Sequence, residues 1–163
     1  MSLIESIEVH IATNSTSATT KDPVYVGVVT KNMGAREFPL RYQKAGIEFF
    51  AGSTYKFGFG AVIDPAKYPP AWDSVGNGSN GLSAYPLEVA PGGQFDVRVY
   101  IRKEPVSANG EADSALVLGD VSVALRMDDG EAFFYRSRYP TNEQPSIIRL
   151  ANENGQIAYL YPV

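Results

Sequence analysis

The sequence contains no cysteine, one histidine and one tryptophan in 163 residues. Without cysteine there is no disulfide, no thiolate metal site and no cysteine nucleophile, although the absence says nothing about compartment. A single histidine excludes metal centres built from clustered imidazoles. No apolar run is long enough to cross a bilayer as a helix. Lys and Arg number 14 against 18 Asp and Glu, a formal net charge of -4 with both signs spread along the chain. Nucleic-acid binding draws on a clustered basic field, so nucleic acid is not an expected partner. The opening MSLIESIEVHI has no basic start followed by an apolar stretch. No signal peptide is read there, and localisation stays open.

What is present is alternation. Apolar residues recur at every second position, and a helical period is nearly absent. The pattern predicts strands at Leu3–Ala12, Pro23–Thr30, Arg36–Leu40, Gly46–Phe50, Thr54–Gly60, Tyr85–Val89, Gln94–Arg102, Val117–Arg126, Ala132–Ser137, Ser146–Leu150 and Gln156–Tyr161. In Gln94–Arg102 the expected inner row is Phe95, Val97, Val99 and Ile101, with Asp96, Arg98, Tyr100 and Arg102 opposite. Asp129-Gly130 and Asn154-Gly155 each separate two such runs and predict hairpins, because type I′ turns need positive φ at their central residues. Pro91-Gly92-Gly93 predicts a sharp turn before a strand. Many short strands with Gly/Pro punctuation and half-polar faces imply an all-β antiparallel sandwich of one domain, residues 1–163.

The stretch Ala61–Gly93 breaks the pattern with five prolines and the segment Gly76-Asn77-Gly78-Ser79-Asn80-Gly81. A long irregular insertion in a compact domain is often functional. Tyr68 and Trp72 lie in it together with Tyr85. Exposed, they would stack on a sugar face or sit at a membrane interface; turned inward, Trp72 would anchor the loop on the sandwich. Arg98 and Arg102 share one side of their strand, and Arg136 and Arg138 one side of theirs. Near Tyr100 they would form an anion-binding patch if the two pairs adjoin, and are otherwise scattered surface charges.

Catalytic patterns are weak. His10 falls on the polar side of its strand, and no Gly-x-Ser-x-Gly elbow accompanies it. Asp128-Asp129 sits in a predicted turn, where Asp is favoured for backbone reasons, and Glu111 and Asp113 sit in a loop. Asn14-Ser15-Thr16 and Asn77-Gly78-Ser79 match the N-glycosylation pattern, which carries little weight without a secretory signal.

Three segments carry a family resemblance. The first is Ile7-Glu8-Val9-His10-Ile11-Ala12-Thr13-Asn14, followed by Thr20-Lys21-Asp22-Pro23-Val24-Tyr25-Val26. The second is Phe49-Phe50-Ala51-Gly52 with Tyr55-Lys56-Phe57. The third is Leu118-Gly119-Asp120-Val121-Ser122-Val123, with Phe134 and Arg138-Tyr139 downstream. In this order they resemble the PLAT domain, the lipoxygenase-homology β-sandwich. Asn14 stands where the family has Gly, and Thr20-Lys21 where it has Gly-Thr. The resemblance implies a non-catalytic module that binds a membrane surface or a protein partner, in some members with calcium. Asn14 and Asp22 would then be the metal ligands. Without a metal, Asp22 and the loop hydroxyls would cap backbone amides instead. The expected function is thus a binding module and not an enzyme. The alternatives are a carbohydrate-binding sandwich using the loop aromatics, and a structural or assembly subunit.

Overall fold

In a computed structural model, residues 2–17, 23–41, 49–60, 82, 86–90, 93–104, 116–137, 148–150 and 157–163 are described. Among these residues eleven strands run β1 Ser2–Thr13, β2 Val24–Thr30, β3 Gly34–Pro39, β4 Thr54–Gly60, β5 Leu87–Val89, β6 Arg98–Lys103, β7 Leu116–Met127, β8 Ala132–Arg136, β9 Ile148–Leu150, β10 Ile157–Tyr159 and β11 Tyr161–Pro162. The larger sheet has the order β11-β8-β7-β1-β4, with β5 also on β1 and β9 also on β7. The smaller has the order β10-β6-β2-β3. The pairings are antiparallel, as the half-polar strands lead one to expect.

The two sheets bury their apolar rows against each other. Ile7, Val9 and Ile11 of β1 and Val121, Val123 and Leu125 of β7 join Val24, Val26, Val28, Val99 and Ile101 in one cluster. At one side of the sandwich Phe38 of β3 meets Phe59 of β4, with ring centroids 5.3 Å apart. At the other side the end of the chain joins both sheets. β10 pairs with β6, the Leu160 amide donates to the Val99 carbonyl at 2.8 Å, and β11 pairs with β8. Leu160 is buried between them. The single strand expected at Gln156–Tyr161 is therefore two short ones in different sheets.

β1 departs from strict alternation. Ile4 and Ile7 are both buried, three positions apart, because the register with β7 shifts between Ile4 and Ser6. The extra residue, Glu5, is a bulge. Its carbonyl lies where a Cβ on Gly60 would be, 2.0 Å from that position, and Gly60 has φ +99°. Only glycine fits there.

The hairpin expected at Asp129-Gly130 forms, but as a three-residue loop. The Met127 amide donates to the Glu131 carbonyl at 2.8 Å, and Gly130 occupies φ 89°. Asp128 Oδ1 accepts the Leu3 amide at 2.9 Å, and Asp129 Oδ2 accepts the Ser2 hydroxyl at 2.6 Å. These two carboxylates fasten the start of β1 and are turn residues. The run Gln94–Arg102 is shorter than its alternation suggests. Gln94–Asp96 is a 3-10 turn after Gly93, the strand starts at Arg98, and Phe95 is 84% exposed instead of inward. The Tyr135 hydroxyl donates to the carbonyls of Gln94 and Val97 at 3.0 and 3.1 Å and holds the turn there.

Several expectations lie outside the described residues: most of Ala61–Gly93, the start of Gly46–Phe50, the Asn154-Gly155 hairpin, and Glu111, Asp113 and Arg138.

Candidate functional site

The loop end of the sandwich is built where β1 finishes, around Thr13 and Asn14. The Thr13 hydroxyl donates to the Phe50 carbonyl, with the Ser53 carbonyl a second acceptor at 3.1 Å, and it accepts the Ser53 amide at 2.9 Å. The Phe50 amide donates to the Tyr55 hydroxyl at 2.8 Å. Gly52, with φ +67°, supplies the reversal into β4. Phe49 is fully buried, edge-on to Tyr55 at 5.0 Å. Its neighbour Phe50 is 52% exposed. The loop thus fixes the Phe50 backbone on both sides while its ring faces solvent.

Asn14 is knitted into the same end. Its Oδ1 accepts the Thr16 amide at 3.0 Å and the Thr16 hydroxyl at 2.9 Å. Its carbonyl accepts the amides of Ser17 and Gly52 at 3.0 and 3.3 Å, and its amide donates to Val117 at 2.8 Å. A carbonyl oxygen has two lone pairs, so Oδ1 is fully engaged. The second expected ligand, Asp22, lies outside the described residues. Among the described residues no group of three or more His, Asp or Glu side chains is placed to hold a metal.

Arg98 and Arg102 lie on the outer face of the smaller sheet, as alternation placed them. Arg102 is committed within the chain. Its Nε and a terminal nitrogen donate to Glu37 at 2.6 and 2.9 Å, and its guanidinium stacks 4.6 Å over the Tyr25 ring. The Tyr100 hydroxyl donates to the same carboxylate at 2.9 Å. Partial burial pulls the Glu37 pKa up, but these bonds and the Arg102 charge outweigh it and hold the carboxyl below its usual range. Burial and the bond to Glu37 push the Tyr100 phenol up to about 12. Arg136 sits on β8 in the other sheet, so the two arginine positions do not adjoin. Tyr68, Trp72 and Tyr85, the expected aromatic ligand residues, lie outside the described residues.

His10 is half-buried on the outer face of the larger sheet, paired across β1 and β7 with Ser122 and across β1 and β4 with Lys56. Burial, then the Lys56 charge, lower its pKa, so the imidazole is neutral near neutral pH. Sequence reading missed Phe50 as a presented side chain. It also missed the small residues Ser122 and Ala124, which alternate with buried Val123 in β7 and leave a trough on that face.

Solved structures share the fold. An anaerobic crystal structure of a delta413-417:GS lipoxygenase in complex with arachidonate matches with a TM-score of 0.51 at 11% identity. A second structure of that lipoxygenase gives the same values. Each match covers 97% of this chain and 16% of the lipoxygenase chain, an extent consistent with the lipoxygenase PLAT domain. The chain has a PLAT-like sandwich fold. The described parts of the three segments that carried the resemblance lie at the end of β1 and the start of β2, in the Phe49–Gly52 turn entering β4, and in β7 beside β8; Thr20-Lys21-Asp22 and Arg138-Tyr139 lie outside the described residues. No family model and no curated protein matches the sequence.

Proposed function

We propose that this chain is a non-catalytic binding module whose loop end engages a membrane surface. The observation that supports it is Phe50, an exposed aromatic on a turn tied by Thr13 and Tyr55. Fully burying an exposed phenylalanine side chain is worth about 1.5–3 kcal/mol, so covering the exposed half of Phe50 is worth about 0.8–1.5 kcal/mol. That corresponds to about fourfold to tenfold in partitioning. Because the backbone is already fixed, little ordering entropy opposes insertion. The PLAT-like fold supports a binding role over an enzymatic one. Calcium assistance through Asn14 and Asp22 belongs to the same reading; the ion would replace the two Thr16 bonds on Asn14 Oδ1.

Sedimentation with vesicles of phosphatidylcholine and phosphatidylserine tests this, with calcium and with chelator. The expected result is cosedimentation whose affinity falls about fourfold to tenfold in Phe50→Ala. Calcium dependence lost in Asp22→Ala would support the ion. Absence of binding under both conditions overturns the membrane reading and leaves a protein partner for this end.

A further inference from the structure

The outer face of the larger sheet carries a depression of about 390 Å³, away from the loop end. Its floor is β7, where Ser122 and Ala124 are small. Its sides are the neighbouring strands. Antiparallel register sets His10, Ser122 and Arg136 in one row across β1, β7 and β8. The next row is Glu8, Ala124 and Phe134. Phe134 is 47% exposed, and the Val163 amide donates to its carbonyl at 2.9 Å, which sets Val163 beside it as a second apolar group. The volume falls in the range of small-molecule sites, about 300–1,000 Å³.

Among the side chains of the trough, charge is unbalanced. Glu8 accepts Arg126 at 3.1 Å and is thereby neutralised. The Arg136 guanidinium has neither an ion pair nor a hydrogen bond among the described residues. A guanidinium presents parallel N–H donors that fit a carboxylate in bidentate fashion. Beside it, Phe134, Ala124 and Val163 offer apolar surface. Ser122 and neutral His10 add a hydroxyl and an imidazole able to donate or accept.

We propose that this trough binds a small organic carboxylate with a compact apolar body, its carboxylate on Arg136 and its body over Ala124 against Phe134 and Val163. A purely inorganic anion would leave the apolar wall uncovered, and a neutral apolar molecule would leave Arg136 unpaired.

Amide NMR of the full chain, titrated with benzoate, tests this, with benzyl alcohol and inorganic phosphate as controls. Benzoate is expected to give saturable shifts centred on Ser122, Ala124, Phe134 and Arg136. Affinity should drop about tenfold or more in Arg136→Gln, which removes a charged hydrogen-bond pair. Ala124→Leu, which keeps Arg136 but raises the floor, should also lose binding while melting like the parent chain. Absence of saturable shifts overturns the proposal. So does equal binding of phosphate or benzyl alcohol, or unchanged affinity in Arg136→Gln. The site is on a sheet face, so the vesicle experiment can fail or succeed without bearing on it.

Discussion

The ring of Tyr100 lies directly on Gly27. A Cβ at position 27 would sit 2.0 Å from Cζ of that ring and under 2.5 Å from two more of its atoms. The two residues face each other across β2 and β6, and the missing side chain of one makes room for the other. The ring is held there by its hydroxyl bond to Glu37 and an edge contact with Tyr159 at 5.5 Å. Gly27→Ala must displace it and break both. We expect a loss of about 1–3 kcal/mol, the usual cost of overpacking. Urea unfolding of Gly27→Ala, Tyr100→Ala and the pair checks the cause. In the absence of the ring, the alanine should cost little, so the pair should be strongly coupled. Additive losses would show that Gly27 is needed for some other reason.

The same phenol makes stability sensitive to alkali. The Tyr100 pKa is raised from 10.0 to about 12, by burial first and then by the bond to Glu37. An acid held protonated by the fold contributes stability that is full below its unfolded pKa. That contribution disappears as pH rises through the folded value. The window is therefore pH 10 to about 12. Burial raises the Tyr135 phenol as well, adding loss on the same side. Urea midpoints should stay level up to about pH 9 and fall by about pH 11. Tyr100→Phe keeps the ring over Gly27 and should flatten part of that fall. Glu37 acts in the opposite direction. Its folded pKa is lowered from 4.5, so its contribution is present above that value and is lost as pH falls through the folded one. Glu37→Gln should remove that acid loss. An alkaline slope unchanged in Tyr100→Phe would exclude the phenol as its source.

Gly60 offers a sharper test of the backbone. The bulge carbonyl of Glu5 occupies the space of its missing Cβ, and φ is +99°. Backbone atoms cannot swing aside as a ring can. Gly60→Ala should therefore cost about 3 kcal/mol or more, and Gly34→Ala much less. At Gly34, φ is also positive, at +68°, but nothing lies within 4 Å of the added carbon. Melting of the two variants side by side separates conformational strain from collision. Equal losses would mean that the bulge is free to move.

How far the sequence could be read follows from which partners are local. Thr54–Gly60 was legible residue for residue, and alternation alone gives Ile7, Val9 and Ile11 of β1 and Val24, Val26 and Val28 of β2 as inward rows, though not the bulge at Glu5. Alternation cannot see a change of sheet. Ile157, Tyr159, Tyr161 and Val163 keep one exposed row while the backbone crosses at Leu160, so the local pattern is the same on both sides of the crossing. Phe95 continued the apolar row in sequence, but Tyr135, forty residues away, holds the carbonyls that flank it in a turn. Arg98 and Arg136 were assigned to the outward sides of their strands; which sheet each strand joins is a matter of topology, and it put them on opposite faces. The buried Phe49 and exposed Phe50 are adjacent identical residues, distinguished by bonds to Thr13 and Tyr55.

Thr13 gives the last test, because it joins stability to the proposed binding end. Its hydroxyl is buried, accepts the Ser53 amide and donates to the Phe50 turn. Valine has nearly the same shape but no hydroxyl, so Thr13→Val leaves those backbone groups without their partner. We expect a loss of about 1–3 kcal/mol. Phe50→Ala should change stability by less than about 0.5 kcal/mol, since the ring is half in solvent. Vesicle binding should order the variants differently. Phe50→Ala removes the inserting ring, whereas Thr13→Val keeps the ring but frees its backbone, which then pays ordering entropy on insertion. Both should bind more weakly than the parent chain. The double variant should bind no more weakly than Phe50→Ala, because Thr13 acts on the membrane only through Phe50. Full vesicle binding by Thr13→Val at a temperature where it is folded would show that the brace serves the fold alone.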